Sequence, residues 1–253
     1  MEPTPTAAEG RTVRVCLSPS LLPHLKIDQA VVVVIDVLRF TTSVAVALDH
    51  GVAAIRPTET IEEAGSFAAQ GYLTAAERNG QTVAGFNFGN SPYSYMSPEL
   101  AGARLAVTTT NGTQALHAAR AAYQIVTGAF ANQAALTRWL VAQGRPVVLL
   151  CSGWKHNPNL EDTLFAGAMV LALEAEGYRA KDDASTIARA LYQAASQSKR
   201  FYITHSSHYQ RLIELGLQRD VKYCLRADTH PVVPLLHEGA LVDALRLPNP
   251  TGA

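Results

Sequence analysis

Charge of a single sign is missing from this chain of 253 residues: Lys+Arg and Asp+Glu both number 21. A neutral balance leaves no global field to draw in nucleic acid or an anionic membrane, so an anionic ligand must be met by a local cluster. Cysteine is scarce. Cys16, Cys151 and Cys224 are odd in number, far apart and set in apolar surroundings, which argues against a disulfide framework or zinc knuckle and for buried thiols in a reducing compartment. No apolar run approaches the ~20 residues needed to span a bilayer. The opening MEPTPTAAEG has no basic stretch followed by an apolar one, so no signal peptide is expected. These absences predict a cytoplasmic protein without nucleic-acid or membrane partners.

Apolar residues, by contrast, make up 48% of the chain, enough for a continuous core without structural metal. Residues 1–10 are small, polar and proline-containing and read as a disordered tail; residues 11–248 read as one α/β domain, with two closely packed lobes as the other division. The run Val31 to Ile35 is β-branched throughout and suits a strand covered on both faces. Further strands are expected at 53–55, 72–76, 105–109, 124–127 and 147–151, with short ones near Tyr223 and at Val232 and Val233. Helices are expected at 41–50, 59–70, 113–122, 132–143, 162–176, 185–198 and 208–215. Strand-then-helix repetition predicts a three-layer α/β/α fold with a largely parallel or mixed central sheet. Ligands in such folds gather beyond the carboxyl ends of strands.

Several polar clusters follow strands. Asp36, directly after the buried run, suits a cation or phosphoryl group, and the fork of Arg39 fits phosphate oxygens; a helix cap with a local ion pair is the plainer alternative. The aspartyl-phosphate motif of haloacid-dehalogenase-like phosphatases is excluded, because it needs a second Asp where this chain has Leu38. Glu77, Arg78 and the Gly- and Asn-rich stretch through Asn90 and Ser91 form either an anion-cradling loop or a plain surface loop.

Thr109, Thr110, Asn111, Gly112 and Thr113 open a helix, where unpaired N–H groups offer a seat for phosphate. Simple capping competes with that reading, and no Walker loop is present. Glu161 and Asp162 begin another helix; the dipole alone explains acids there, and a pair of carboxylates beside a phosphate also suits Mg²⁺. His205 and His208 lack a third ligand at a recognisable spacing.

In order along the chain, VVVVIDVLRFTTS, AAERNG, GFNFGNSP, VTTTNGT, CSGW with LEDTLFAG, and LGLQRDVKYCLRADTHPVVPLL resemble the 2-phosphosulfolactate phosphatase family of coenzyme M biosynthesis. The likeness runs from about Val31 to Leu236. It implies hydrolysis of 2-phospho-3-sulfolactate to 3-sulfolactate and phosphate with Mg²⁺ as cofactor, on that family's α/β architecture. Carried over residue by residue, it implies a catalytic set of Asp36, Arg39, Glu77 and Arg78. Asn90, Ser91 and Thr109 through Thr113 would hold phosphate, and Asp36, Glu161 and Asp162 would hold the metal.

One departure stands out: Asn87 occupies a position where the family block has Asp. A weakly active or non-catalytic binding paralogue, or a phosphatase for another phosphorylated hydroxy acid, are therefore the competing expectations. The expected partner is a small phosphorylated organic acid, with self-association left open. Lys155 and Arg226 are the candidates for a second anionic group on it.

Overall fold

The computed structural model describes residues 10–155, 157–195, 198 and 202–248. The proposed disordered tail lies outside the described residues except for Gly10. The fold is a mixed sheet of eleven strands with helices on both faces, the three-layer α/β/α architecture expected from the sequence.

The strand β2 (Val31–Ile35) sits at the heart of one parallel block, paired on one side with β7 (Gln124–Gly128) and on the other with β8 (Val147–Cys151). Beyond β8 lie β1 (Thr12–Cys16) and the short β9 (Arg179–Ala180), also parallel. Every residue of β2 is buried, because its side chains alternate between two cores. Val31, Val33 and Ile35 pack with Leu136 and Leu140 of α4 (Gln133–Gln143) and with Phe165 and Met169 of α5 (Leu160–Ala175). Val32 and Val34 face Phe40, Val44 and Leu48 of α1 (Phe40–Asp49) and Leu116 of α3 (Gly112–Ala118). A strand apolar on both faces has no other stable place.

A second parallel block comprises β3 (Ala54–Pro57), β6 (Arg104–Thr108) and β4 (Leu73–Arg78), edged by the antiparallel β5 (Gln81–Thr82). The hairpin β10 (Pro234–His237) and β11 (Ala240–Asp243) joins the blocks, and every pairing across it is antiparallel. In a flat sheet those reversals would send the carboxyl ends of β2 and β6 to opposite edges. Right-handed strand twist of about 20–25° per step swings the two edges towards each other. The turns after β2 and β6 consequently touch, which makes a shared site available.

The expected elements at 31–35, 124–127 and 147–151 appear as β2, β7 and β8. The stretch expected to be helical at 59–70 is α2 (Ile61–Ser66) followed by a 3₁₀ turn to Gln70. One expectation is corrected and the boundary of another is shifted. Tyr223 lies in a helix, α8 (Gln218–Cys224), because Asp220, Val221, Tyr223 and Cys224 are its buried positions and follow helical spacing rather than alternation. Val232 and Val233 precede β10, which begins at Pro234 opposite Asp243. The remaining described helices are α6 (Asp183–Ala194) and α7 (Ser207–Glu214).

Candidate active site

Asp36 is the first residue beyond β2. The Asp36 N–H donates to Thr41 Oγ1 at 3.2 Å, Thr41 Oγ1 donates to the Asp36 carbonyl at 2.8 Å, and Thr42 Oγ1 donates to the Val37 carbonyl at 2.9 Å. The threonine hydroxyls thus close the turn into α1 and fix the aspartate above the sheet edge. Burial pushes the Asp36 carboxyl up to about 6; His208 counters this, and the Glu77 and Glu161 carboxylates add to it. Gly112, from the turn after β6, lies against this group. A Cβ there would stand 2.8 Å from Asp36 Oδ2 and 2.3 Å from the Phe40 ring, so only glycine lets the two turns meet.

Glu77 arrives from β4. Its Oε1 accepts from the Gly80 N–H at 2.5 Å, and its Oε2 is held loosely by the Thr110 N–H and hydroxyl at 3.5 and 3.4 Å. Arg39 is almost fully buried. Its Nη1 donates to Asp220 Oδ2 at 2.5 Å and its Nη2 to the Gly80 carbonyl at 2.8 Å. Ser91 supports the pair from behind, donating to Asp220 Oδ1 at 3.1 Å. Breaking a buried pair of this kind by removing one member leaves an uncompensated charge and costs about 3–5 kcal/mol.

The threonines divide their labour. Thr109 and Thr113 exchange bonds within their own turn, amide to hydroxyl in both directions at 3.2 Å, so their hydroxyls serve the backbone. Thr110 and Asn111 line the cleft, and the Asn111 side chain does not cap α3. Asn90 lines the cleft as well, its carbonyl fixed by Ser43 Oγ at 2.9 Å. Arg78 does not reach it. Its guanidinium donates to the Glu77 carbonyl and to Thr108 Oγ1, bracing the ends of β4 and β6.

Glu161 and Asp162 stand behind the cleft wall, and their oxygens are committed. Glu161 Oε2 accepts from Ser206 Oγ at 3.0 Å and Oε1 from His208 Nδ1 at 2.6 Å. Burial alone would raise the Glu161 carboxyl, but the hydrogen bond and charge of His208 outweigh it, with its own amide and Ser206 helping. The group therefore sits below its ordinary value. Asp162 accepts from the Val37 N–H at 2.9 Å and the Gly153 N–H at 3.2 Å, tying the turn after β2 to the turn after β8. Its carboxyl is pushed well up by burial and by the neighbouring Glu161 and Asp36 charges.

Sequence reasoning gave His208, Asp220 and Arg211 no place in the site. His208 lines the cleft; with Nδ1–H on the Glu161 carboxylate, its Nε2 is left for the cleft. Arg211, on α7, lines it too and stacks over Trp154, its Cζ 4.3 Å from the ring centroid. Its Nε is buried without a hydrogen-bond partner among the described residues. Of the residues expected to meet a second anionic group, Arg226 lies over the Tyr223 ring and Lys155 over Trp154; neither lines the cleft. Asn87 lies in the loop after β5, against the start of β4, its Oδ1 accepting from the Thr74 N–H and hydroxyl at 2.9 and 3.2 Å. A carboxylate oxygen would accept the same two bonds, so the departure at Asn87 falls on a brace and not on the cleft.

The cleft opens to solvent and is lined mainly by charged and polar side chains, a lining that suits a small polar ligand. Its donor set fits a hard divalent cation: Asp36 and Glu77 present carboxylates from different blocks of the sheet, and Asp36 is destabilised by burial and by the Glu77 charge, which a cation would relieve.

Fold and cleft together give an α/β protein with carboxylate, guanidinium, amide and imidazole side chains lining one cleft beyond its strand ends. The 2-phosphosulpholactate phosphatase family model matches residues 16–239. Relatives named as probable 2-phosphosulfolactate phosphatases include one from Thermotoga maritima, 34% identical over 88% of this chain and 96% of its own length. One from Gloeobacter violaceus is 39% identical over 88% and 94%, and one from Parasynechococcus marenigrum 37% over 84% and 91%. The chain belongs to the 2-phosphosulfolactate phosphatase family, a family of phosphoric monoester hydrolases.

Proposed function

We propose that this enzyme hydrolyses the phosphate monoester of a small acid carrying a further anionic group, converting 2-phospho-3-sulfolactate to 3-sulfolactate and phosphate with Mg²⁺. The observation that carries the reading is the contact of Gly112 with Asp36, which brings turns from both halves of the sheet to one polar cleft. Catalysis of monoester hydrolysis rests largely on positioning and charge neutralisation, and the cleft offers both.

Asp36 and Glu77 would hold the cation, which supplies neutralisation of phosphoryl charge when bound. Arg39 meets the phosphoryl oxygens with a guanidinium already oriented by Asp220 and the Gly80 carbonyl, so little ordering is left to do on binding. Asn90 and Asn111 add neutral hydrogen bonds. His208, held by Glu161, presents Nε2 to the leaving oxygen and donates the proton it needs as the ester bond breaks. Arg211 offers its unpaired Nε–H to the sulfonate or carboxylate, while Trp154 holds the guanidinium plane.

The test is phosphate release from a panel of phosphorylated hydroxy acids, with and without Mg²⁺, by the parent and by Asp36→Asn. Turnover of 2-phosphosulfolactate that depends on Mg²⁺ and vanishes in the variant is the expected result. Equal turnover in the variant would overturn the assignment, and turnover of esters lacking a sulfonate alone would move the substrate elsewhere.

A further inference from the structure

The opposite end of α1 carries a second constellation, which the phosphatase chemistry does not use. One donor atom each from Asp49, His50 and His230 lies within 4.8 Å of the others. A helix of ten residues is about 15 Å long, so this group is well removed from Asp36. We propose that Asp49, His50 and His230 form a three-ligand site for a transition-metal dication of the Zn²⁺ type.

Each imidazole has one ring nitrogen on an outer hydrogen bond, the second-shell arrangement usual for metal-binding histidines. His50 Nδ1 lies 2.9 Å from the Val46 carbonyl. A carbonyl only accepts, so Nδ1 carries the proton and Nε2 keeps its lone pair. His230 Nδ1 lies 2.7 Å from Asp49 Oδ2, and its Nε2 lies 2.7 Å from the Tyr223 hydroxyl. An ion entering between Asp49 and His230 displaces the shared Nδ1 proton. The neutral ring then carries its proton on Nε2 and donates it to Tyr223, whose hydroxyl turns from donor to acceptor.

The chain Asp49–His230–Tyr223 satisfies those three residues without any ion, as an ordinary buried hydrogen-bond relay. It does not account for His50, whose ring lies 5.8 Å from that of His230, centroid to centroid, and whose tautomer is set by the helix. Position adds to the case. The last carbonyls of α1 give this end a partial negative charge that favours a cation. Two nitrogens and one carboxylate select Zn²⁺-like ions over Mg²⁺ or Ca²⁺. Ligands about 2.0–2.1 Å from a shared tetrahedral ion stand roughly 3.4 Å apart, so closure takes shifts of about an ångström. The bound ion would pin the end of α1 to the loop before β10, residues far apart in the chain.

The experiment uses the full chain, stripped of metal and then held in saturating Mg²⁺ so that the catalytic cleft is not the site read. Co²⁺ is titrated while visible d–d absorption is followed, and Zn²⁺ is added as the competitor. Uptake of one Co²⁺ per chain, displaced by Zn²⁺, is expected. His50→Ala should weaken it at least tenfold, and His237→Ala, an exposed histidine elsewhere, should leave it unchanged. Should His50→Ala melt below the metal-free parent, His50→Gln, which can still donate to Val46, is read by the same titration. Absence of Co²⁺ uptake, or uptake that Asp49→Asn and both His50 variants leave intact, would overturn the proposal.

Discussion

Two pairs of carboxylates lie close together in this molecule in different surroundings. Glu161 and Asp162 are neighbours in sequence, sit at the start of one helix, lie outside the cleft lining, and accept from Ser206, His208 and two backbone amides. Asp36 and Glu77 come from opposite halves of the sheet, line the cleft, and keep capacity for a ligand. The difference teaches that a buried acid's role is read from where its lone pairs already point. Adjacency in the chain made the first pair look like metal ligands; in the structure their oxygens accept from Ser206, His208 and the amides of Val37 and Gly153.

The largest effect should come from Asp36→Asn, which removes a cleft carboxylate. Mg²⁺-stimulated turnover should fall by about 10³-fold or more, since several kcal/mol of charge stabilisation are lost. The same change should stabilise the metal-free protein at neutral pH. The folded-state value of Asp36 is raised to about 6 from 3.8, so its contribution is fully present below about 4 and is lost as pH rises through about 6. The melting temperature of the variant should therefore overtake the parent's across that window, and Mg²⁺ should reverse the order. A parent as stable at pH 7 as at pH 4, relative to the variant, would break this part of the comparison.

Next in size is Glu161→Gln. It leaves His208 without its carboxylate, and should cost about 10²-fold in kcat by the scale of general acid–base catalysis, with a loss of stability measurable in urea. Because the folded-state Glu161 carboxyl is lowered, the parent's advantage over this variant should persist above the ordinary carboxylate range and shrink as pH falls through it. Arg211→Ala should act on binding, raising KM for a doubly anionic substrate by about tenfold or more while changing kcat less. An equal rise for a phosphate ester with no second anion would remove Arg211 from that role. Asn87→Asp should be the smallest, within about threefold of the parent's turnover, since Oδ1 keeps its bonds to Thr74.

Much of the frame was legible. The unbroken β-branched run at Val31 to Ile35 could only be a doubly covered strand, so Asp36 was expected just beyond the carboxyl end of a central strand, where the structure has it. The turn at Asn111 and Gly112 was legible as part of a site, although the need for Gly112 came from a close approach that no local pattern records. Of the antiparallel hairpin, a short strand was expected next to β10, at Val232 and Val233, while β11 and the pairing were missed, because the strands are short and their pairing partners distant. Asp220 and His208 were missed for a related reason. Each sits on a short late helix, and its meaning comes from contacts with Arg39 and Glu161, far upstream in the chain. The cysteines behaved as composition suggested, all three buried and free.

The central claim is that the cation is held by acids drawn from both halves of the sheet. Calorimetric titration of Mg²⁺ into the metal-free Glu77→Gln and Asp162→Asn proteins tests it directly. The account predicts that Glu77→Gln loses most of its Mg²⁺ affinity while keeping its melting temperature, and that Asp162→Asn melts lower yet binds Mg²⁺ nearly as the parent does. Affinity that survives in Glu77→Gln and disappears in a folded Asp162→Asn would contradict it.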